Sequence, residues 1–358
     1  MIMRILVFCP MVRFAMQHYL QSVANELDRL GHEAVFILPS HHELKTRHRV
    51  HTIGGGNWLN TLWTNVNPLT FARLAWRHFR EKPDCVHFLN GETRLTVLWM
   101  LLLCKLTGTR SLMTVHDPEP HPCAKMDVIA YHLIARLSLR IADEINIHHR
   151  AHVPVARAWG KPLHIFPLPD ISLLFSGPSM AERDEVVLFF GRIEPYKGLS
   201  NFVELGLRMR GKARFVIAGT GTISTELLGV INANPDIFEL HHRFIEDSEM
   251  LRLYDRAKVV VLPYDSATQS GIPASAASRG AVPIGFAVGG LANQIPEAGG
   301  KAAPAGDLDM LETLVTETLN DYAEPDREAL AAAAKRFALG LKDMYEAPAT
   351  DALLTSNH

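Results

Sequence analysis

Short apolar runs alternate with longer amphipathic segments along most of this 358-residue chain. The run Val186–Phe190 shows the pattern clearly, because it follows a charged stretch and ends at Gly191. An apolar run of this length, placed between charge and glycine, is typical of a parallel strand that is covered on both faces. Repeated strand-and-helix units predict an α/β fold with doubly wound parallel sheets.

The same alternation continues through both halves of the chain. The strands predicted in the first half are 4–8, 33–38, 84–89, 110–115 and 142–147, and the helices are 16–30, 67–82, 94–106 and 126–141. The strands predicted in the second half are 186–190, 213–218, 238–241, 259–262 and 282–285, and the helices are 199–209, 224–234, 248–257 and 273–278, with a helical tail at 325–345.

The length of the chain predicts two domains. A mass of 39.9 kDa is large for a single core, and two domains of roughly 150 to 200 residues are the usual solution. Prolines and a glycine interrupt regular structure between residues 162 and 178, so we place the linker there. The predicted domains are 1–168 and 169–330, followed by a C-terminal helix and tail at 331–358 that crosses back towards the first domain.

Composition excludes several classes of function. A net charge of −2 and a pI near 6.8 argue against a nucleic-acid-binding protein. The four cysteines have no CxxC spacing, which predicts reduced, buried thiols and a cytoplasmic protein. The first residues read as a strand and not as a signal peptide, and no apolar run approaches the ~20 residues that a bilayer requires.

Two cations follow the strand at 186–190. Arg192 offers a planar fork and Lys197 a point charge, which together suit a diphosphate at the carboxyl end of a parallel strand. Gly191 permits a sharp turn there, and Gly198 permits close backbone approach. The alternative is that both cations simply pair with Glu194 or other surface acids.

Two further loops offer backbone N–H groups to an anion or a sugar. Gly219 and Gly221 end a predicted strand and lead into a helix, although a turn of this kind also occurs where nothing binds. Ser270, Gly271 and Ile272 precede Pro273, which we place at the first position of a helix so that the preceding N–H groups face a ligand. The alternative for this second loop is a capped helix with no ligand.

Four segments in a fixed order resemble the retaining glycosyltransferases of family 4. They are FFGRIEPYKGL, IAGTG, LHHRFIEDSEMLRLYDRAKVVVLPY and SATQSGIPASAASRGAVPIGF. The resemblance implies the GT-B arrangement, in which two Rossmann-like domains face a cleft, with the nucleotide-sugar donor on the second domain and the acceptor on the first. It also implies that Arg192 and Lys197 bind the donor diphosphate without a metal or other cofactor, and that Phe244 contacts the nucleobase.

One motif departs from the family pattern. The family usually carries Glu-x7-Glu, with one carboxylate for the donor sugar and the other for the ribose, whereas this chain has Ala267 and Ser275 at those positions. Asp265 lies two residues before the first expected carboxylate, and Ser275 offers a weaker hydrogen bond to the ribose. We interpret the change as a variant site of the type associated with surface polysaccharides.

A histidine and an aspartate follow the strand predicted at 110–115. His116 resembles the family residue beside the donor sugar, where it would bond a sugar hydroxyl or the acceptor, and Asp117 would orient it or help to deprotonate the acceptor. The alternative is an exposed loop acid beside a histidine that caps the strand. The adjacent pairs His41-His42, His148-His149 and His241-His242 lack ligand spacing, so we predict no metal site and expect surface or loop histidines.

The helix predicted at 67–82 is both basic and amphipathic. Asn67 is its expected N-cap and Pro68 its first residue. Its apolar stripe is expected to pack on the sheet with the charges in water, and the alternative is that the helix lies on an anionic membrane. An apolar surface just before it could meet a lipid-linked acceptor. The stripe is Leu69, Ala72, Trp76 and Phe79, the cations are Arg73, Arg77, Arg80 and Lys82, and the preceding surface is Trp58, Leu59, Leu62 and Trp63.

The sequence therefore predicts a metal-independent, retaining glycosyltransferase. Its donor would be a nucleotide diphosphate hexose, and its acceptor a glycan or polyprenol-linked glycan destined for a surface polysaccharide. The enzyme would work in the cytoplasm, with peripheral contact through its N-terminal domain to the inner face of the plasma membrane. The alternatives are a nucleotide-sugar epimerase or phosphorylase on the same scaffold, and a catalytically silent relative that binds a glycan or a partner protein.

Overall fold

The computed structural model of the chain describes residues 2–12, 15–54, 58–116, 118, 129–166, 168, 174, 183–326, 328–330 and 341–346. The chain divides into two units. The first consists of Met1–Leu168 together with Leu339–His358, and the second of Pro169–Ala338.

The first unit is built on a parallel sheet. Its strands in chain order are β1 (Arg4–Phe8), β2 (Glu33–Pro39), β3 (Arg49–Ile53), β4 (Cys85–Phe88), β5 (Arg110–Val115), β6 (Glu144–Ile147) and β7 (Leu163–Ile165). Among the described residues they form one seven-stranded sheet of order β3-β2-β1-β4-β5-β6-β7, in which each pairing is parallel.

Helices cover both faces of this sheet. They are α1 (Ala15–Leu30), α2 (Trp58–Val66), α3 (Pro68–Glu81), α4 (Leu95–Thr107), α5 (Ile129–Ile141) and α6 (Val153–Arg157). Successive residues of a strand point to opposite faces, so Ile5 and Val7 pack with α1 while Leu6 and Phe8 pack with α3, α4 and α5. Each face of the sheet therefore has its own apolar core.

The second unit repeats the architecture with a different sheet. Its strands are β8 (Val186–Phe190), β9 (Arg214–Ala218), β10 (Phe238–His241), β11 (Val259–Leu262), β12 (Val282–Phe286) and β13 (Lys301–Ala303), and its helices are α7 (Leu199–Arg208), α8 (Thr225–Ala233), α9 (Asp247–Arg256), α10 (Ile272–Ser278), α11 (Leu291–Glu297) and α12 (Leu308–Asn320). In the described part of the chain the strand order is β10-β9-β8-β11-β12-β13, again with parallel pairing.

The predicted pair of doubly wound parallel sheets is confirmed, and the predicted strands recur within two residues of their expected bounds. The sequence analysis missed β3, α2, α6, β7, α11, β13 and α12. The assignment of 162–178 to a linker was wrong at its beginning, because β7 lies at Leu163–Ile165 and pairs with β6 at the edge of the sheet. A three-residue edge strand bounded by prolines carries too short an apolar run to be recognised.

The three described cysteines, Cys9, Cys85 and Cys104, are buried and free, as predicted, and Cys123 lies outside the described residues. Burial raises the pKa of the Cys9 and Cys85 thiols to about 12, so both are unreactive at neutral pH. No helix in the described part of the chain is both long and apolar enough to span a bilayer.

A short C-terminal helix, α13 (Leu341–Glu346), packs into the core of the first unit through Leu341, Met344 and Tyr345. Arg110 holds it by donating hydrogen bonds to the Met344 and Tyr345 carbonyls at 2.7 and 2.8 Å. The same guanidinium donates two bonds of 2.6 Å to the Glu144 carboxylate. Arg110 therefore joins β5, β6 and α13 in one polar cluster.

The Glu144 carboxylate lies between Arg110 and His164, whose Nε2 is 2.6 Å from it. Burial alone would raise the pKa of Glu144, but the hydrogen bonds from His164 and Arg110 outweigh burial and lower the pKa to about 2. The ionised form is thus the one that stabilises the fold. This contribution is complete above the unfolded pKa near 4.5 and is lost as the pH falls towards 2.

We predict that Glu144→Gln destabilises the first unit by roughly 3 kcal/mol at pH 7, since the ionised carboxylate is lost. The difference in unfolding free energy between the variant and the wild type should become smaller as the pH drops below about 4.5, and it should vanish as the wild-type carboxylate protonates. Urea unfolding between pH 7 and pH 3.5 measures both effects. Glu26→Gln, which removes the partner of the exposed Arg29, is the control and should cost less than ~1 kcal/mol. A difference that stays constant with pH would contradict the assignment.

Candidate functional site

The second sheet opens a crevice beside its first strand. β8 pairs with β9 over five residue pairs, from Val186↔Arg214 to Phe190↔Ala218, but with β11 over only two, Val259↔Val187 and Val260↔Leu188. β8 and β11 therefore separate towards their carboxyl ends. The strand order also reverses between these two strands, and such a switch point is where open parallel sheets bind ligands.

Lys197 projects from a short turn, Pro195–Lys197, that follows β8 on one side of this crevice. Its Nζ lies 5.1 Å from the centre of the Tyr264 ring, which follows β11 on the other side. Burial lowers the pKa of the Lys197 ammonium. Among the described residues, no carboxylate lies within ion-pair distance of this half-buried cation.

Gly191 leaves open the space beside Lys197. Its φ of +110° strongly favours glycine, and a Cβ there would lie 3.2 Å from Lys197 Nζ and 3.5 Å from Ile272 Cδ1. The predicted residues Gly191, Lys197 and Ile272 are therefore neighbours. Together they line a small space with a cation on one side and an apolar side chain on the other.

Arg192 behaves differently from Lys197. Its Nε lies 3.0 Å from the Glu194 carboxylate, and its side chain is 55% exposed. The surface ion pair considered as an alternative thus describes Arg192 but not Lys197. An exposed pair of this kind exchanges readily for a stronger anion.

Gly219 and Gly221 bring the loop after β9 against the loop after β8. A Cβ on Gly219 would lie 1.8 Å from the Gly191 carbonyl oxygen, and one on Gly221 would lie 2.0 Å from the Ile193 carbonyl oxygen. The predicted anion contact through the Gly219 N–H needs correction, because that group donates to the His241 carbonyl at 3.1 Å. The two glycines support the site through backbone packing.

The loop before α10 also differs from the prediction. The Ser270 N–H donates to Gln294 Oε1 at 2.9 Å, and the Ile272 N–H donates to Ser270 Oγ at 3.3 Å. The predicted backbone contacts therefore reduce to Gly271. The helix begins at Ile272, so Pro273 is its second residue, and not its first as expected.

The two positions where this chain lacks the Glu-x7-Glu carboxylates, Ala267 and Ser275, have different surroundings. Ser275 is 1% exposed inside α10, so the expected hydrogen bond to a ribose is not available from this arrangement. Ala267 is packed through its carbonyl oxygen, which accepts from the Gly290 N–H at 3.2 Å. Asp265, the nearby acid, is exposed, and its Oδ1 lies 3.4 Å from Asn201 Nδ2.

Phe244 lies in the loop between β10 and α9 and is 60% exposed. The neighbouring His242 joins this loop to the glycine loop by donating from Nε2 to the Gly221 carbonyl at 2.9 Å. An exposed ring on a loop that contacts the site is available for stacking on a flat ligand. Its role as a nucleobase contact stays a prediction.

In the first unit, His116 follows β5 and contacts a second histidine. His116 Nδ1 lies 3.0 Å from His148 Nε2, and the Tyr19 ring packs edge-on against both imidazoles at 5.0 and 5.5 Å. His148 was missed by the sequence analysis. The signal for it was available, because the preceding residues Val115 and Ile147 are register partners on adjacent strands. Asp117 lies outside the described residues.

The protons on this histidine pair can be assigned from its carbonyl partners. His116 Nε2 donates to the Leu89 carbonyl at 2.8 Å, and His148 Nδ1 donates to the Phe166 carbonyl at 3.0 Å. The two remaining nitrogens face each other, so a hydrogen bond between the rings requires a third, shared proton. Burial first, and the neighbouring His116 second, lower the pKa of His148 well below its ordinary value. Both effects oppose uptake of this shared proton by His148.

The expectation of surface or loop histidines was wrong for part of the chain. The buried histidines among the described residues are His32, His78, His87, His148, His149, His152 and His164. Many of these rings bond backbone carbonyls or hydroxyls inside the first unit, as His87 does with Tyr345 and Thr114. Within the described ranges, no group of three His, Cys, Asp or Glu residues is placed to hold a metal ion.

Two family models match the chain. A glycosyl transferase 4-like domain matches residues 14–169, and a glycosyl transferases group 1 domain matches residues 184–321. No curated protein matches the sequence.

Solved structures share the fold over nearly the whole chain. Sucrose-phosphate synthase from Thermosynechococcus elongatus has a TM-score of 0.71 at 17% identity, covering 96% of this chain and 98% of its own. HepE from Anabaena in complex with UDP has a TM-score of 0.71 at 16% identity, covering 94% and 96%, and has also been solved with UDP-glucose. UDP-GlcNAc 2-epimerase from Methanocaldococcus jannaschii has a TM-score of 0.59 at 13% identity, covering 93% and 97%.

Identities this low show a shared fold and nothing finer. The family models add what the fold alone does not, since each one matches a unit of the structure separately. A glycosyl transferase 4-like domain in the first unit and a glycosyl transferases group 1 domain in the second make this chain a two-domain glycosyltransferase of the GT-B fold.

Proposed function

We propose that this protein is a retaining, metal-independent hexosyltransferase that uses a nucleotide diphosphate sugar. The observation that carries the proposal is Lys197, a half-buried cation with no carboxylate partner among the described residues, at the switch point of the second sheet. A cation in this setting costs stability unless a ligand supplies the missing negative charge. A diphosphate at the carboxyl end of β8 would supply it.

The donor follows from this charge and from the comparisons. HepE, which shares the fold, binds UDP and UDP-glucose. For the present chain we propose a nucleoside diphosphate hexose whose diphosphate lies against Lys197 and Arg192. Phe244 would stack on the base, and Gly191 and Gly271 would let the donor approach the backbone closely.

The proposed chemistry places its main demand on the leaving group. As the bond to the hexose breaks, negative charge grows on the departing diphosphate, and fixed cations stabilise that charge most effectively. Lys197 is already in position, whereas Arg192 would exchange Glu194 for the diphosphate. The departing phosphate would take the proton of the acceptor hydroxyl, so that the reaction needs neither a strong base nor a metal.

The acceptor belongs to the first unit in this proposal. A glycan, or a polyprenol-linked glycan of surface polysaccharide synthesis, would present its hydroxyl there, with peripheral contact to the inner face of the plasma membrane. His116 would bond the donor sugar or the acceptor, and His148 would position it through the 3.0 Å contact between the rings. The exposed apolar side chains of α2 and α3 support a lipid-linked acceptor.

A second candidate is a catalytically silent relative that binds a glycan or a partner protein. The observation that favours it is the motif departure, since Ala267 replaces one carboxylate and the other position, Ser275, is buried. An epimerase also uses this fold. Product analysis separates the three: transfer requires an acceptor, epimerisation alters the donor without one, and a silent relative leaves the donor intact.

We predict that Lys197→Met leaves the ligand-free protein about as stable as the wild type. The change gives up the contact with the Tyr264 ring, but it also removes a half-buried cation that has no carboxylate within ion-pair distance among the described residues. In the wild type, stabilisation by one of UDP, GDP, ADP or dTDP identifies the donor base. Lys197→Met should abolish that stabilisation and should reduce turnover by about 10² to 10³. Thermal unfolding with and without each nucleotide, in EDTA and then in Mg²⁺, measures the first two effects.

Arg192→Met should weaken nucleotide binding as well, with little change in ligand-free stability, because Arg192 is exposed. Lys212→Met, an exposed cation of the same unit, is the matched control and should behave as wild type. Wild-type turnover by both site variants would refute the assignment of the two cations, and an absolute requirement for Mg²⁺ would refute metal independence.

Nucleotide binding should depend on pH through Lys197. Burial lowers the pKa of its ammonium in the free protein, so affinity for the diphosphate should fall as the pH rises through that lowered pKa, below the ordinary 10.5. Titration calorimetry from pH 7 to 9.5 measures this loss. The Lys197→Arg protein keeps the positive charge at this position over the whole pH range. Every other titrating group, including the nucleobase of the ligand, is the same as in the wild type. An identical pH profile in both proteins would exclude Lys197 as its source.

We predict that His116→Ala lowers kcat far more than it weakens nucleotide binding, since His116 acts on the sugar or the acceptor. His148→Ala should lower kcat by up to about 100-fold through loss of ring positioning. His148→Gln should restore part of that loss, because its side-chain amide can still reach His116 Nδ1. Steady-state kinetics with varied donor provide the readout. Equal defects in the Ala and Gln variants would assign His148 to folding alone.

A further inference from the structure

Exposed apolar side chains concentrate on one side of the first unit. Among the described residues, most of the large exposed apolar side chains of the chain lie on α2, α3, α4 and α5, whereas none lies on α1 or α13, which pack on the opposite face of the sheet. The exposed set on the four helices is Leu59, Leu62, Trp63, Val66, Leu69, Trp76, Phe79, Leu95, Leu102, Leu106, Leu133 and Leu137.

α2 is an inverted amphipathic helix. Leu59, Leu62, Trp63 and Val66 recur at the spacing of one helical face, and each is at least 54% exposed. The helix of a water-soluble surface would turn that face to the core. In α2 it faces outward instead, with Leu62 and Trp63 adjacent in the chain.

Three of the four polar side chains of α2, Thr61, Thr64 and Asn65, are partly buried, and the fourth, Asn60, is exposed. Asn65 Oδ1 accepts from the Thr96 hydroxyl of α4 at 3.2 Å, and the Asn65 amide donates to the Thr61 carbonyl at 2.7 Å. Thr64 lies against Gly54, where an added Cβ would clash with its hydroxyl. The contacts of Asn65 with α4 and of Thr64 with Gly54 thus place the polar side of α2 against the protein and its leucines on the outside.

α3 continues the apolar surface. Leu74 and His78 face the core at 0% and 2% exposure, and His78 is anchored by Thr107 at 2.9 Å. The stripe Leu69, Ala72, Trp76 and Phe79 lies on the exposed side. The expectation that this stripe packs on the sheet was therefore wrong. Periodicity locates the stripe, whereas the contacts of Leu74 and His78 decide its direction.

The surface of α2 and α3 is positively charged. Residues 58–82 contain Arg73, Arg77, Arg80 and Lys82 and a single carboxylate, Glu81. That carboxylate is turned inward and paired with Arg49 at 2.6 Å. The Arg80 guanidinium lies 5.0 Å from the centre of the Trp76 ring, which places a cation directly among the exposed apolar side chains. The outward charge is therefore of one sign.

We propose that α2 and α3 form a docking surface for an anionic lipid bilayer. This α2–α3 face consists of Leu59, Leu62, Trp63, Val66, Leu69, Trp76 and Phe79, with the cations Arg73 and Arg80. Both helices lie flat in the interface, where the apolar side chains enter the acyl boundary, the tryptophans sit at headgroup level and the arginines meet lipid phosphates. Apolar patches of this extent on one protein generally mark a contact surface.

The charge of the α2–α3 face selects its occupant. A second copy of the chain docked through the same face would bring Arg73 and Arg80 of both copies together in a symmetric contact, with no carboxylate on the face to offset them. An anionic bilayer supplies both the apolar layer and the opposite charge. The inference concerns residues of the first unit only and does not depend on the donor chemistry proposed for the second.

The test uses the full chain without nucleotide and vesicles of phosphatidylcholine, either alone or with 30% phosphatidylglycerol. We expect co-sedimentation with the anionic vesicles, weaker binding to neutral ones, weakening with salt, and a blue shift of tryptophan emission. The shift should shrink in Trp63→Phe if this ring enters the lipid. Light scattering of the vesicle-free protein over a range of concentrations reports self-association.

Two pairs of variants make the test specific. Leu62→Glu with Trp63→Glu should abolish vesicle binding, while Met310→Glu, an exposed apolar residue of the second unit, should leave it intact. Arg73→Gln with Arg80→Gln should weaken binding to anionic vesicles roughly 30-fold. Arg29→Gln with Arg47→Gln is the matched control, since both arginines are exposed and already paired with acids.

Each outcome decides the inference. Because the altered side chains face outward, all variants should keep the thermal stability and nucleotide response of the wild type. The vesicle measurements use no nucleotide, so they remain valid even if the proposed donor chemistry is wrong. Wild-type vesicle binding by the Leu62→Glu, Trp63→Glu protein would overturn the docking surface. A concentration-dependent dimer that this variant dissociates, in a protein that binds no vesicles, would assign the α2–α3 face to a second copy of the chain.

Discussion

The candidate donor site depends on places where backbone lies directly on backbone. The loop after β8 contacts the loop after β9 at Gly219 and Gly221, and its turn contacts the end of β11 at Gly198, where a Cβ would lie 1.9 Å from the Pro263 carbonyl oxygen. No larger residue fits at these three positions without moving a strand end. The glycines therefore set the height at which Lys197 stands above the sheet, while the N–H groups of Gly198 and Gly219 donate to the Pro195 and His241 carbonyls.

Lys197 shows why a site of this kind has to be built on rigid elements. A half-buried ammonium is unfavourable in the ligand-free protein, and burial lowers its pKa. Strands that pair along their length on either side of the opening between β8 and β11 keep the crevice from collapsing on it. In the proposed site, the stability of the surrounding core would offset the cost of a cation that an anionic ligand stabilises, which is a common trade between stability and function.

The sequence predicted the two sheets well, but it predicted poorly which way the surface helices face and which loop residues meet, for physical reasons. A buried parallel strand such as Val186–Phe190 is apolar on both faces, so its residues alone identify it. The direction of the α3 stripe could not be predicted in this way, because periodicity is the same whether Leu74 or Trp76 faces the core. The contact of His148 with His116 was not predicted for a related reason. Two adjacent histidines are typical of an exposed loop, and only the register of β5 and β6 shows that one of them lies against His116. Contacts between elements, and not patterns within them, decided these cases.

The same reasoning explains why α2 was not recognised as a helix. Its partly buried residues Thr61, Thr64 and Asn65 are polar, and its exposed residues other than Asn60 are apolar, which reverses the pattern that identifies a surface helix in water. The outward face is the one for which we propose an anionic bilayer, and a bilayer would supply the apolar environment that this arrangement favours. The failure of the water-based rule then falls on the surface for which we propose lipid contact, where the pattern expected in water would not apply.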